Sequence, residues 1–398
     1  MDKHLQYSID QLLLEQGEYT ALEWLLAEGR LLYHDYEAWR QGDVARLDQA
    51  LFGDPSQIRQ LLHEAQHYCL ALGLQADTLC YTRWGGDGGA PLRFSDDTAW
   101  EHCFHTRYRQ SAQQPQMDLF MDAPGNSLAI GVQQALVNRD PATARHLLER
   151  LYDTEPSHAR LAGLDVLVSA EMRLTTEIAD IETELDYVRN TLAPVANDAL
   201  GRNARSVLVP HWRRLDIALQ HTPFDPDKPH LHSSYAASQA LDWASARAAV
   251  ERETDWRRQP TLLQRHAIAC TRLNQHTAAL GSWFMLCWHY PDHADAVSSD
   301  ADHQLQSDWR AFFELEPELP IEDFPAWLVL HQATLINRLP APNEDDVVNA
   351  SYAVIYQLQQ HRANASPDTS DIALRSRLKQ LNPPLFEHVL IQLGKNID

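Results

Sequence analysis

Cysteine is scarce in this chain. Five residues, Cys69, Cys80, Cys103, Cys270 and Cys287, are scattered over 398 positions, and no Cys-x-x-Cys pair occurs. An odd, sparse set argues against a disulfide framework and favours a reducing compartment, so a cytoplasmic protein is expected. Basic residues are also in deficit: Lys plus Arg is 33 against 55 Asp plus Glu, a net charge of −22. Such a chain repels phosphate backbones, and no basic cluster reverses the sign locally, so direct nucleic-acid binding is not expected. Long apolar runs are missing as well. Ala326 to Leu330 is far shorter than the roughly 20 residues that cross a bilayer. The opening MDKHLQYSID has no basic-then-apolar secretion layout, and no membrane partner is expected. The nucleophile-elbow G-x-S-x-G, the dinucleotide-binding G-x-G-x-x-G and zinc-ribbon cysteine spacings are absent, and no cofactor is expected.

What is present is helical spacing. The chain is 44% hydrophobic, enough to bury a core. Glycines at 17, 29, 42, 53 and 73 punctuate the first 75 residues. Between them, apolar residues recur at helical intervals, as in Ile58, Leu61, Leu62, Ala65, Cys69 and Leu72. Glycine just past a helix end tolerates left-handed backbone, so residues 1–75 are expected to form an N-terminal subdomain of short helices. Residues 76–125 change character. Leu79-Cys80-Tyr81 and Leu92-Arg93-Phe94 flank a glycine run, which predicts a small β-hairpin insertion followed by a linker. That run lacks the Lys-Ser/Thr of a phosphate-binding loop. Residues 126–398 read as helix after helix, separated by stretches such as TPFDPDKPH and LPAPNEDD. The expected fold is mostly α.

Two segments of the helical part align without a gap. Thr143 to Ala159 reads TARHLLERLYDTEPSHA, and Ala278 to Ala294 reads AALGSWFMLCWHYPDHA. Ala144 matches Ala279, Leu148 matches Trp283, Leu151 matches Leu286, Pro156 matches Pro291, and His158 matches His293. A small residue, two large apolar residues and a proline describe the second helix of a hairpin and the turn ending it. Ala267 lies twelve residues before Ala279, and Leu263 precedes it where a large residue is wanted. This pattern resembles the tetratricopeptide repeat family over about residues 126–295. The chain departs from that family at Cys270, His266 and Leu286, and Val132 stands for the small residue of the first helix in the other copy. The resemblance implies an α-α solenoid that acts as a non-enzymatic interaction or adaptor protein, holding a peptide or partner helix on its first helices. It places the partner-facing residues of the best copy at Thr261, Gln264, Ile268, Thr271 and Arg272. The acidic balance points to a basic partner.

Two short motifs offer alternatives. His63-Glu64-Ala65-Gln66-His67 matches the zinc-hydrolase pattern H-E-x-x-H, in which both histidines bind metal and the glutamate serves as base. At about 100° per residue, His63 and His67 lie opposite the apolar stripe of their helix, so a solvated face also accounts for them. The sequence identifies no third ligand, although His102, Cys103 and His105 are available, and no metal is expected. A convergence of His266, Cys270, Cys287 and His289 is a second metal alternative, set against ordinary packing of a cysteine-bearing helix. Gln116-Met117-Asp118-Leu119-Phe120 resembles the peptide with which bacterial proteins dock on the DNA sliding clamp. Gln116 would hydrogen-bond at the pocket rim while Leu119 and Phe120 fill it. The other reading has Met117, Leu119 and Phe120 pinning the linker to the helices.

Overall fold

The computed structural model describes residues 3–85, 91–110, 124–339, 342, 350–363 and 369–395. The protein is mostly α-helical, with one small sheet among the described residues. The chain divides into two compact units, Met1–Thr222 with His230–Asp242, and Pro223–Pro229 with Trp243–Asp398. This division falls inside the stretch 126–398 that the sequence reads as one helical-repeat region, and the first unit runs through both expected boundaries, at 75 and 125.

Unit 1 contains α1 (Lys3–Gln16), β1 (Glu18–Thr20), α2 (Ala21–Ala27), α3 (Tyr33–Gln41), α4 (Pro55–Ala71), β2 (Gln75–Thr78), α5 (Thr98–Phe104), β3 (Thr106–Arg109), α6 (Pro124–Val137), α7 (Pro141–Thr154), α8 (Leu161–Arg173), α9 (Ile181–Tyr187), α10 (Ala193–Leu200), α11 (Arg205–Leu219) and α12 (Ser233–Gln239). Gly42 ends α3 in the left-handed region, φ 82°, as its sequence position predicts. The sheet has the order β1-β3-β2, all antiparallel, with Tyr108 opposite Tyr19 and Ala76. Along β3, Thr106 and Tyr108 are buried while Arg107 and Arg109 turn outward, the period of a half-buried strand. The expected hairpin strands therefore need correction. Residues 79–81 and 92–94 form no strand pair; Leu92 N–H donates to the Tyr81 carbonyl, and the paired strands lie at 75–78 and 106–109. The ladder is completed by β1, some ninety residues earlier in sequence, which local spacing does not reveal.

Three carboxylates of unit 1 are each held by two arginines. Glu23 takes Arg202 and Arg205, Glu37 takes Arg139 and Arg213, and Glu184 takes Arg173 and Arg214. Glu37 and Glu184 are buried. Burial pushes the Glu23 carboxyl upward, but the Arg205 and Arg202 guanidiniums outweigh it and hold it below its ordinary value. Arg139 joins several elements. It also donates from Nε to the Ser206 carbonyl, 3.2 Å, and lies over the Trp84 ring. Pro210, inside α11, has no N–H to offer Ser206, four residues before it. Arg139 takes up the carbonyl that the proline leaves free.

Unit 2 contains α13 (Trp243–Arg252), α14 (Pro260–Arg272), α15 (His276–His289), α16 (Pro291–Ala296), α17 (His303–Phe313), α18 (Phe324–His331), α19 (Ala350–Ala363), α20 (Thr369–Leu381) and α21 (Pro383–Lys395). Its centre is aromatic. Trp309 stacks on Phe324 at 4.2 Å, meets Trp283 edge-on, and Phe312 lies edge-on to both Phe324 and Trp327. Every residue of α18 from Phe324 to Leu330 is buried. Among the described residues no helix is long and apolar enough to cross a membrane.

The two aligned segments are alike up to their prolines, after which Pro156 leads into a turn and Pro291 starts α16. Each forms the second helix of a hairpin, α7 after α6 and α15 after α14, with Ala144, Leu148 and Leu151 buried in one and Ala279, Trp283 and Leu286 in the other. The histidine after each proline returns to the first helix of its hairpin. His158 Nε2 reaches Asn126 Oδ1 at 3.0 Å, and His293 Nε2 reaches Gln264 Oε1 at 3.1 Å.

Candidate functional site

A recess within unit 2 forms a cavity of about 1100 Å³. One wall is α15, which presents Gly281, Ser282, Phe284, Met285 and Trp288. Trp256 and Arg257 come from the turn before α14, His266 from α14 itself, and Arg338, Leu339 and Tyr352 from beyond α18. The floor is apolar and the rim polar, as in sites that grip a ligand's body and orient it by a few charges.

His266 is the centre of the polar part. It occupies a position where the repeat pattern expects leucine, and it is only 5% exposed. A buried imidazole needs partners for its nitrogens. Nδ1 meets Ser282 Oγ at 2.8 Å, and Nε2 meets Glu251 Oε1 at 3.3 Å. Trp256 stacks on the ring at 4.4 Å, and Cys270 Sγ lies 3.6 Å from Nε2. Burial lowers the His266 pKa below its ordinary value, outweighing the Glu251 carboxylate, and the neutral ring then carries one proton for two partners. Glutamate, histidine and serine in a chain also occur in acyl-transfer centres, but Ser282 sits inside α15. The backbone N–H groups around it are bonded within the helix and cannot receive an oxyanion. The geometry is that of a satisfied polar cluster bordering a cleft.

Charge on the rim is uneven. Glu251 is engaged by Arg247 and His266. Arg257 lies against the Trp256 ring, 4.5 Å from its centroid, and Arg338 forms no ion pair among the described residues. Both of these arginines are exposed.

The residues expected to face a partner lie on α14, away from the cavity. Thr261, Gln264, Ile268 and Thr271 are half-buried on α14 and Arg272 is exposed, and none of them lines the cavity. Gln264 is bonded to Asp300 and His293, while Arg272 lies over Trp243. The cavity opens on the α15 side of the hairpin and touches α14 through His266, about 200° around the helix from Gln264 and Ile268. Sequence spacing missed Glu251, Trp256, Arg257, Ser282 and Arg338, which four separate segments bring together. Gly281 was the available signal, a glycine in the middle of an otherwise well-formed helix.

His63 and His67 are exposed on α4, with Nε2 atoms 3.1 Å apart and rings edge-to-face, and Glu64 accepts a hydrogen bond from Gln60. His105 is turned to the Leu79 carbonyl and to Glu101. Burial raises the pKa of the Cys103 thiol to about 11 and that of Cys270 likewise, which disfavours the thiolate that metals bind. Among the described residues no three His, Cys, Asp or Glu side chains are placed to hold a metal, at HEAQH or around His266, Cys270, Cys287 and His289. Gln116, Leu119 and Phe120 lie outside the described residues. Comparison with protein-family models, curated proteins and solved structures finds no match to this chain.

Proposed function

We propose that this chain is a non-enzymatic interaction protein, an adaptor built from helical hairpins of tetratricopeptide type, and that it holds a partner in the α15-lined cleft of unit 2. The observation that carries this reading is the cleft itself: about 1100 Å³, floored by Phe284, Met285, Trp288 and Tyr352, and flanked by a histidine whose hydrogen bonds are already made within the protein. Aromatic floors with a polar rim are where binding energy concentrates. Five free thiols accord with a cytoplasmic setting. The test compares the proteins retained from source-cell extract by the immobilised parent and by Gly281→Trp, which projects an indole into the cleft. A partner held by the parent and released by the variant is the expected result. Identical retention by both places the docking surface elsewhere.

A second reading rests on QMDLF alone. The segment lies between the exposed end of β3 and α6, and its residues suit the sliding-clamp pocket. Purified bacterial clamp should bind the parent and not a variant with Gln116, Leu119 and Phe120 all changed to alanine. Clamp that binds neither protein ends this reading.

A further inference from the structure

We infer that the unit 2 cleft selects an acidic peptide segment, one that places a carboxylate beside an aromatic or large apolar side chain. This rests on the cleft being the docking site and adds the chemistry of its occupant.

Two observations converge. The first is charge. The whole chain carries −22, which by itself favours a basic partner. Among the described residues the cleft rim has the opposite sign: Arg257 and Arg338 face it without a carboxylate partner there, whereas its described acid, Glu251, is engaged by Arg247 and His266. Charges farther apart than about 8 Å are largely screened at physiological ionic strength, so the rim dominates over the distant acidic surface. Guanidinium forks match carboxylates in pairs of hydrogen bonds, a fit that ammonium or amide ligands do not offer.

The second observation is Gly281. Glycine inside a helix costs about 1 kcal/mol relative to alanine. Among the described residues no neighbour requires it, because a Cβ added at Gly281 would meet nothing within 4 Å. The open space is on the cleft side, where Gly281 lies among the lining residues with Ser282, Met285 and Trp288. Bare helix backbone bordering an aromatic floor lets another chain approach closely. Met285 supplies an adaptable surface and the aromatic rings a flat one, suited to a phenyl or indole side chain. The occupant thus needs apolar bulk for the floor and negative charge for the rim.

The experiment is calorimetric titration of the full chain with three peptides: Ac-Asp-Phe-Asp-amide, Ac-Asn-Phe-Asn-amide and Ac-Lys-Phe-Lys-amide. The acidic peptide is expected to bind at least tenfold more tightly than the asparagine peptide, and the lysine peptide most weakly. Combining Arg257→Gln with Arg338→Gln, both at exposed positions, should erase the difference between the acidic and asparagine peptides. Gly281→Trp should abolish binding of all three. Equal or tighter binding of the asparagine or lysine peptide overturns the inference. So does absence of saturable binding of the acidic peptide up to the millimolar range. Charge-blind binding that Gly281→Trp abolishes would leave the docking reading standing while removing its acidic selectivity. Binding that survives Gly281→Trp, checked for native helicity and melting, removes both.

Discussion

The two units solve the same problem with different materials. Unit 1 sets ion clamps beside its hydrophobic cores, with Glu23, Glu37 and Glu184 each bridging two arginines. Unit 2 has a continuous aromatic and aliphatic core around Trp283, Trp309, Phe312, Phe324 and Trp327. The hydrophobic effect is non-directional and tolerates small shifts, whereas a buried ion pair stabilises only while both charges and their hydrogen bonds are in place. Unit 1 thus adds geometrically demanding ion clamps to its hydrophobic cores, while unit 2 rests chiefly on its apolar core and is sensitive to cavities.

The largest expected effect is in unit 2. Trp309→Ala removes a ring stacked on Phe324 and edge-on to Trp283, and should cost about 4 kcal/mol in denaturant melts. A cost below about 1 kcal/mol would mean that the aromatic cluster does not carry the unit. Next, Glu37→Ala in unit 1 strands Arg139 and Arg213 and should cost about 3 kcal/mol, at the low end for a broken buried pair because Arg213 can recover water. Chemical denaturation of the variant against the parent checks it; a neutral result would make the clamps ornamental to stability.

Overpacking tests what the units share. Ala144→Trp in unit 1 and Ala279→Trp in unit 2 should each destabilise by about 2–3 kcal/mol, because both alanines are buried on the second helix of a hairpin. Thermal melts in which only one variant suffers would break the equivalence of the aligned segments.

Acid sharpens the contrast between two buried histidines. His266 in unit 2 has Ser282 and Glu251 as partners, while both ring nitrogens of His211 in unit 1 have none among the described residues. Burial pushes the His211 pKa down to about 4. Unfolded chain takes up that proton near pH 6.5 and the folded protein does not, so stability present above pH 6.5 is lost as the pH falls toward 4. Between pH 7 and 4.5 the parent should lose about 2 kcal/mol more than His211→Leu in urea melts. Parallel pH profiles would show that His211 is not the titrating group. The smallest effect belongs to His63→Ala with His67→Ala, which should change stability by no more than about 0.5 kcal/mol, since both side chains are exposed. Zinc that raises the melting temperature of the parent and not of this variant would restore a metal site at HEAQH.

Local spacing was enough for the helices. The turn glycines, the apolar stripe of α4 and the paired Ala144 and Ala279 segments depend on residues within a few turns of one another, where backbone geometry fixes which side chains share a face. The sheet was not legible in this way. β3 is four residues long, and its partners come from positions 18–20 and 75–78, so the alternation in Thr106-Arg107-Tyr108-Arg109 has meaning only after the chain has closed on itself. The arginine clamps and the cleft belong to the same class. Glu37 and Arg213 are 176 positions apart, and the cleft gathers Glu251, His266, Ser282, Arg338 and Tyr352 from separate elements. The sequence by itself determined that this protein is mostly helical and where the helices of the two aligned segments end, because those outcomes follow from short-range periodicity. Tertiary structure alone decided which charges are buried together and which helix face was left open, because packing between distant segments sets both.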